Sequence, residues 1–199
     1  MTGGALLLAA GFGRRFGADK RRQRLADGTP LLLASLTRYG AAFAAVTVVL
    51  RPEDDDLADQ ALALPSRAAV RVVRCADAVH GMGHSLACGA AACRDWDYLF
   101  VAFADMPWVR EDTLARLLEA LTKNMTDDPA RIVVPEYRGT PGHPVGFGAA
   151  HLPALAALTG DRGARAVLQA STTAPLRIDV DDPGVLRDVD RPEDLDAPA

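Results

Sequence analysis

LLAAGFGRRFGADK, residues 7–20, is the stretch on which the reading of this chain turns. Its first residues close an apolar run, ALLLAA at 5–10, of the kind that forms a buried strand. The chain then enters a turn with glycines at 11, 13 and 17 and basic side chains at Arg14, Arg15 and Lys20. Three readings of that turn are open. One is a plain strand-to-helix connection with solvated arginines. A second is a dinucleotide fingerprint, which needs GxGxxG and an acidic residue ending the second strand. The third is a polyphosphate cradle, in which glycines let backbone N–H groups approach phosphate oxygens while Arg15 and Lys20 neutralise charge. The spacing GxGxxxG, and a second strand that runs into Arg51, fit the dinucleotide poorly; a Walker loop fails because no GK[ST] follows. Charge placement and the length of the Gly11–Lys20 turn favour the cradle.

Outward from this turn, β-branched or apolar runs recur at AVTVVL (45–50), VRVV (70–73), YLFVAF (98–103), RIVVP (131–135) and LRIDV (176–180). Between most of them lie segments of helical spacing: PLLLASLTRYGAAFA, DDLADQALAL, SLACGAAAC, EDTLARLLEAL and GARAVLQA. The alternation predicts a three-layer α/β/α sandwich around a mostly parallel sheet, with ligands gathered at the carboxyl ends of the strands. Asp105-Met106-Pro107 follows the fourth run and Gly139 to Pro144 follows the fifth, so the unusual residues fall where a site belongs.

At 199 residues, 49% hydrophobic and 24% charged, the chain is the size of one domain with its own core, taken here as 1–199. A net charge of −4 with both signs scattered gives no basic face for nucleic acid or an anionic membrane. The start MTGGALLLAA lacks a basic n-region and no apolar stretch is long enough to span a bilayer, so a cytoplasmic location is expected. Cys75, Cys88 and Cys93 are odd in number and lack ligand spacing, which favours buried thiols. His80, His84, His143 and His151 are too scattered for a metal box.

LAAGFGRRFGADK resembles the LAAGxxxRMGxxK signature of the MobA-like nucleotidyltransferases, the group that joins a nucleoside monophosphate to molybdopterin. Leu8-Ala9-Ala10-Gly11, Arg15, Gly17 and Lys20 match, with Phe16 where Met is commoner. The resemblance continues through GTPLL (28–32), HGMGHSL (80–86), Asp105-Met106-Pro107, Gly142-His143-Pro144 with Phe147, GDRGAR (160–165) and DVDRPEDL (188–195), in the family's order and over essentially the whole chain. Two departures stand out: Arg21, Arg22, Gln23 and Arg24 replace the apolar step that usually follows the lysine, and Arg191 stands where Thr is common.

The resemblance implies a Rossmann-like fold of the nucleotide-diphospho-sugar transferase type and a Mg²⁺-dependent transfer. Arg15, Lys20 and Asp105 are then the catalytic candidates. Leu8, Ala9, Ala10, Gly11, Gly13, Arg15, Lys20, Gly81, Met82, Gly83 and Ser85 are the nucleotide-binding candidates. Relatives using GTP commonly read LAGG and those using CTP read LAAG, so Ala10 points to CTP. Asp105 is the expected Mg²⁺ ligand, with Asp190, or else Asp188, as the second carboxylate. On the residues alone, Asp105 is equally a helix N-cap and the DVDRPED run equally a solvated tail with a capped turn. A capped helix start with Met82 in the core is the plain alternative for HGMGHSL. His143, Pro144, Arg162 and Arg165 are the acceptor-binding candidates, against a turn histidine and surface charge.

The expected reaction is transfer of CMP from CTP to molybdenum-molybdopterin, giving molybdopterin cytosine dinucleotide and pyrophosphate, with a transient contact to a client molybdoenzyme. A guanylyltransferase, a transferase for another phosphorylated acceptor, and a non-catalytic cofactor-delivery protein are the alternatives.

Overall fold

Strand β1 (Gly3–Leu8) is buried at every residue and paired on both edges, with β2 (Ala45–Leu50) on one side and β4 (Tyr98–Phe103) on the other, all parallel. Strands covered on both faces carry no polar alternation, which is why these three read as continuous apolar runs. β3 (Ala69–Arg74) pairs with β2 in parallel and forms the sheet edge, and its sequence AVRVVR is only half buried. The computed structural model describes residues 1–13, 16–123, 125 and 127–196.

The described residues form an eight-stranded sheet in the order β3-β2-β1-β4-β7-β5-β6, with β8 (Leu176–Asp179) also paired to β5 (Ile132–Tyr137). The sheet is mostly parallel, as expected, but β7 (Val145–Gly148) is inserted antiparallel between β4 and β5. The short β6 (Thr140–Pro141) also runs antiparallel to β5, and Gly142, His143 and Pro144 separate β6 from β7. Because β7 reverses direction, β5 recovers the direction of β4. The carboxyl ends of β1, β4 and β5 therefore open on one edge of the sheet, and the loop holding His143 joins the other two there.

Period-two alternation along β1 divides the core. Ala5, Leu7 and Ala9 pack with Leu36 and Tyr39 of α1 (Leu31–Ala42), Leu57 of α2 (Asp55–Ala63), and Leu114 and Leu117 of α4 (Glu111–Thr122). Leu6, Leu8 and Ala10 pack on the opposite face with Leu86 and Ala90 of α3 (Met82–Ala92), Leu152 and Leu155 of α5 (Leu152–Ala156), and Val167 of α6 (Arg165–Ala170). The result is three layers, helices on both faces of the sheet. Gly89 sets how closely α3 lies on β1: a Cβ there would sit 2.4 Å from Leu6 Cδ1. Cys75, Cys88 and Cys93 are free thiols; Cys75 and Cys93 are buried as expected, while Cys88 is half-buried, and burial pushes its thiol up to about 12. No helix among the described residues is long and apolar enough to cross a membrane.

Candidate active site

The turn after β1 is held at two points. Phe16 is buried with Leu31 and Val189 in a small apolar cluster, so it fills the role of the commoner Met as an anchor. Gly13 and Gly17 take positive φ angles of 55° and 76°, which a side chain would strain. The second anchor is Arg21, 4% exposed, in a short 3₁₀ turn over Lys20–Arg22 capped by Asp19. Its guanidinium forms a two-pronged pair with Asp54, itself 1% exposed, at 2.8 Å for Nη2 to Oδ1 and with a second, shorter contact from Nη1 to Oδ2. It also donates to the Ala9 carbonyl at 2.7 Å and to Asp19 at 2.6 and 2.8 Å. The departure at Arg21 from the family pattern is thus a buried ionic clamp, tying the loop to the ends of β1 and β2. Arg15, expected as a phosphate ligand, lies outside the described residues, as does Arg14.

This clamp presents the neighbouring Lys20 to the sheet edge. Lys20 Nζ donates to Asp105 Oδ2 at 2.6 Å and to the Val189 carbonyl at 2.8 Å, and lies 3.5 Å from Asp190 Oδ1. The Val189 N–H in turn donates to the Asp105 carbonyl at 2.9 Å, which draws the 188–190 segment onto the end of β4. Asp105 does not cap α4, whose N-cap is Arg110. The DVDRPED run is a capped turn, as one reading had it, with the Asp194 carboxylate accepting from the N–H groups of Asp190 and Arg191. It is also part of the site through Asp190. Asp188 faces the same place, and burial together with the Asp190 and Asp105 carboxylates holds its carboxyl above the usual range.

Two clefts meet at this lysine. The first, about 390 Å³, is bounded by Leu8, Ala9, Ala10, Gly11 and Gly13 on one side and by 78–82 with Ser85 on another. The second, about 650 Å³, is lined by Phe16, Met106, Pro141, His143, Leu186, Asp188 and Asp190. Both are of a size for small-molecule ligands. They share Gly11, Gly13, Lys20, Met82, Phe103 and Asp105, so the ion pair Lys20–Asp105 stands in their common wall.

The expected nucleotide residues that are described therefore gather in the first cleft, all but Gly83. Gly83 does not line it; its N–H donates to the Gly160 carbonyl at 2.7 Å. Met82 is 45% exposed in both clefts rather than in the core, and α3 starts at Met82 behind Gly81, so Ser85 lies inside the first turn instead of capping it. His143 lines the second cleft, its ring edge-on to Phe103 with centroids 4.7 Å apart. Its N–H donates to the Val185 carbonyl, an approach that requires Gly142, where a Cβ would lie 2.4 Å from that oxygen. Burial lowers the His143 pKa, and its Nδ1 is buried with no partner among the described residues. Pro144 is buried behind it, and neither Arg162 nor Arg165 lines the second cleft. Instead the GDRG loop lies against 81–83 and contributes Asp161 to the first cleft, a residue the sequence reading passed over for its arginines.

Whether these residues suit a divalent ion can be judged from their donors. Asp105 and Asp190 present hard carboxylate oxygens to one positive centre, now the Lys20 ammonium, and Asp188 is close enough to feel both. No group of three or more His, Cys, Asp or Glu forms a closed metal cage among the described residues. An open pair of carboxylates that leaves room for phosphate oxygens and water is the arrangement magnesium takes with nucleotides. The residues fit such an ion.

The chain is similar to known proteins in sequence and in fold. The model of the MobA-like NTP transferase domain matches residues 5–175. The purine catabolism protein PucB of Bacillus subtilis strain 168 is 30% identical, over 96% of this chain and 93% of its own length. Rv0371c from Mycobacterium tuberculosis H37Rv superposes with a TM-score of 0.76 at 26% identity, covering 98% of this chain and 95% of its own. That protein has also been solved in complex with manganese. A nucleotidyl transferase from Methanothermobacter thermautotroptrophicus gives a TM-score of 0.77 at 22% identity, covering 97% and 94% of the two chains.

Two expectations follow from the site's construction. Asp54→Ala strands Arg21 in the protein interior with Asp19 as its remaining carboxylate, and should lower stability by about 3 kcal/mol in urea denaturation. Arg21→Met with Asp54→Leu should recover most of that loss. The second concerns pH. The folded His143 pKa lies below its ordinary 6.5, so the unfolded chain binds the proton first and stability falls as pH drops below 6.5. His143→Asn should flatten the stability profile in that acid window and leave the slope above it unchanged, as read by thermal unfolding across pH.

Proposed function

The chain belongs to the MobA-like NTP transferase family and is a nucleotidyltransferase, and on that premise we propose that it moves CMP from CTP to molybdenum-molybdopterin. The observation that carries this reading is the shared wall. Two clefts, each able to hold a small molecule, meet at Lys20 and Asp105, so groups bound in each would face one another across a charged centre. A carrier needs one cleft; a transferase needs two that touch.

In this reading CTP lies in the first cleft with its phosphates along Gly11–Lys20 and its base toward Ala9, Ala10 and 78–82. Ala10 lines this cleft, and a methyl there in place of a glycine hydrogen would leave less room for a purine, which supports cytosine over guanine. The acceptor lies in the second cleft against His143 and Phe103. A phosphate oxygen of the acceptor attacks the α-phosphorus of CTP; the new O–P bond forms as the bond to the bridging oxygen breaks, and pyrophosphate carries the electron pair away. The nucleophile is already an anion, so no general base is required, and the protein contributes alignment and charge neutralisation.

Lys20 supplies one charge, and leaving Asp105 to meet a phosphate oxygen is a short movement for its flexible side chain. Asp105 and Asp190 would hold Mg²⁺, whose chemistry is to neutralise the phosphate oxygens. The manganese complex of the Mycobacterium tuberculosis relative supports a divalent ion in this fold. The reading includes a client molybdoenzyme that receives the dinucleotide.

Pyrophosphate release from CTP in the presence of molybdenum-molybdopterin tests it. The wild-type chain should release pyrophosphate with CTP well above GTP, and Lys20→Ala or Asp105→Asn should each lower kcat by at least about 100-fold with an unchanged circular dichroism spectrum. A near-normal rate in either variant would remove that residue from the chemistry, and preference for GTP would replace cytidylyl with guanylyl transfer.

A further inference from the structure

Two stretches that looked unrelated in sequence, HGMGHSL and GDRGAR, interlock at the first cleft. The Gly83 N–H donates to the Gly160 carbonyl at 2.7 Å. A Cβ at Gly83 would lie 2.7 Å from the carbonyl oxygens of Arg162 and Thr159, and one at Gly81 would lie 2.5 Å from Asp161 Oδ1. Both glycines are therefore required by the close approach of residues 159–162. That approach brings the exposed Asp161 carboxylate into the cleft beside Gly81. It makes no hydrogen bond or ion pair with any other described residue.

The position decides what such a carboxylate can meet. Asp161 lines the first cleft beside Gly81 and not the second cleft, whereas Lys20 and Asp105 line both. Asp105 and Asp190 share the Lys20 ammonium whereas Asp161 has no paired cation among the described residues, so the triphosphate is favoured at Lys20 over Asp161. That leaves the part of the first cleft beside Asp161 and Gly81 for the base. A bare carboxylate there accepts hydrogen bonds and donates none.

We propose that Asp161 is a base-specificity residue, its carboxylate accepting a hydrogen bond from the exocyclic amino group of cytosine. This rests on the cytidylyl reading above. Cytosine places an amino donor where uracil places a carbonyl oxygen, so a carboxylate attracts the first and repels the second. Ala10 would then exclude by size and Asp161 by hydrogen-bond polarity.

Calorimetric binding of CTP, UTP, GTP and dCTP to the wild-type chain and to Asp161→Asn tests it, with thermal unfolding confirming that the surface substitution leaves the fold intact. The wild-type chain should favour CTP over UTP. Asp161→Asn, whose amide offers a donor, should lose at least about 10-fold of that preference while the CTP to dCTP ratio stays constant. An unchanged CTP to UTP ratio in the variant would overturn the role of Asp161 and leave cytidylyl transfer standing. A change in the CTP to dCTP ratio instead would also overturn it, by assigning the carboxylate to the ribose. A wild-type chain that favours GTP, or that does not distinguish CTP from UTP, would overturn the cytidylyl reading itself.

Discussion

The ion pair between Arg21 and Asp54 is the constraint on which the site depends. Two charges removed from water cost several kcal/mol each, and the pair recovers that only through good geometry and full hydrogen bonding. Here the guanidinium meets Asp54, Asp19 and the Ala9 carbonyl, while Asp54 also accepts from the Arg51 N–H at 2.9 Å. An apolar contact could fill the same volume, but it would not fix the loop's direction. Arg21 does, because its planar fork is matched to Asp54 on a different element. With Arg21 facing inward, Lys20 one residue earlier faces the sheet edge, where Asp105, Val189 and Asp190 receive it.

The second requirement of the proposed transfer is that two substrates reach one lysine from opposite sides, and the two clefts the sheet topology leaves at Lys20 suit it. If β5 paired directly with β4, the His143 loop would be one strand nearer and the second cleft narrower. The inserted β7 spaces β5 away from β4 while keeping their directions equal, so the ends of β1, β4 and β5 surround a common space. Asp105 arrives there from β4, His143 from the β6–β7 break, and Asp188 and Asp190 from the segment held by the Val189 N–H to Asp105 carbonyl bond. The carboxylates outnumber the one ammonium they share in the described site. In the proposed transfer a nucleotide phosphate would enter such a place with a companion cation, which favours a divalent ion.

The strands buried on both faces were legible because nothing competes with their apolar run; β2 and β4 coincide with AVTVVL and YLFVAF, and β1 (Gly3–Leu8) begins two residues before ALLLAA (5–10). β7 was not legible. VGFG is short and half glycine, so it shows no strand run, and its glycines are there for contact: Cβ atoms at Gly146 and Gly148 would lie 2.6 Å from the Phe100 ring and 2.3 Å from the Pro129 carbonyl oxygen. α5, with five residues, is too short to show a period. In the site, Lys20 and Asp105 stood out because a motif and a strand end coincide. Arg21 was hidden inside RRQR, which reads as solvated charge, because its partner Asp54 lies 33 residues away. Asp161 was hidden by the arginine beside it, since only the folded chain shows which side chain of GDRG enters the cleft.

The measurement that bears most directly on the account is the fate of the α-phosphorus. CTP labelled at that atom is incubated with the protein, Mg²⁺ and molybdenum-molybdopterin, and the products are separated. The expected result is label in a pterin dinucleotide, in a one-to-one ratio with released pyrophosphate. Label remaining in CTP, with both substrates bound, would contradict transfer between the two clefts.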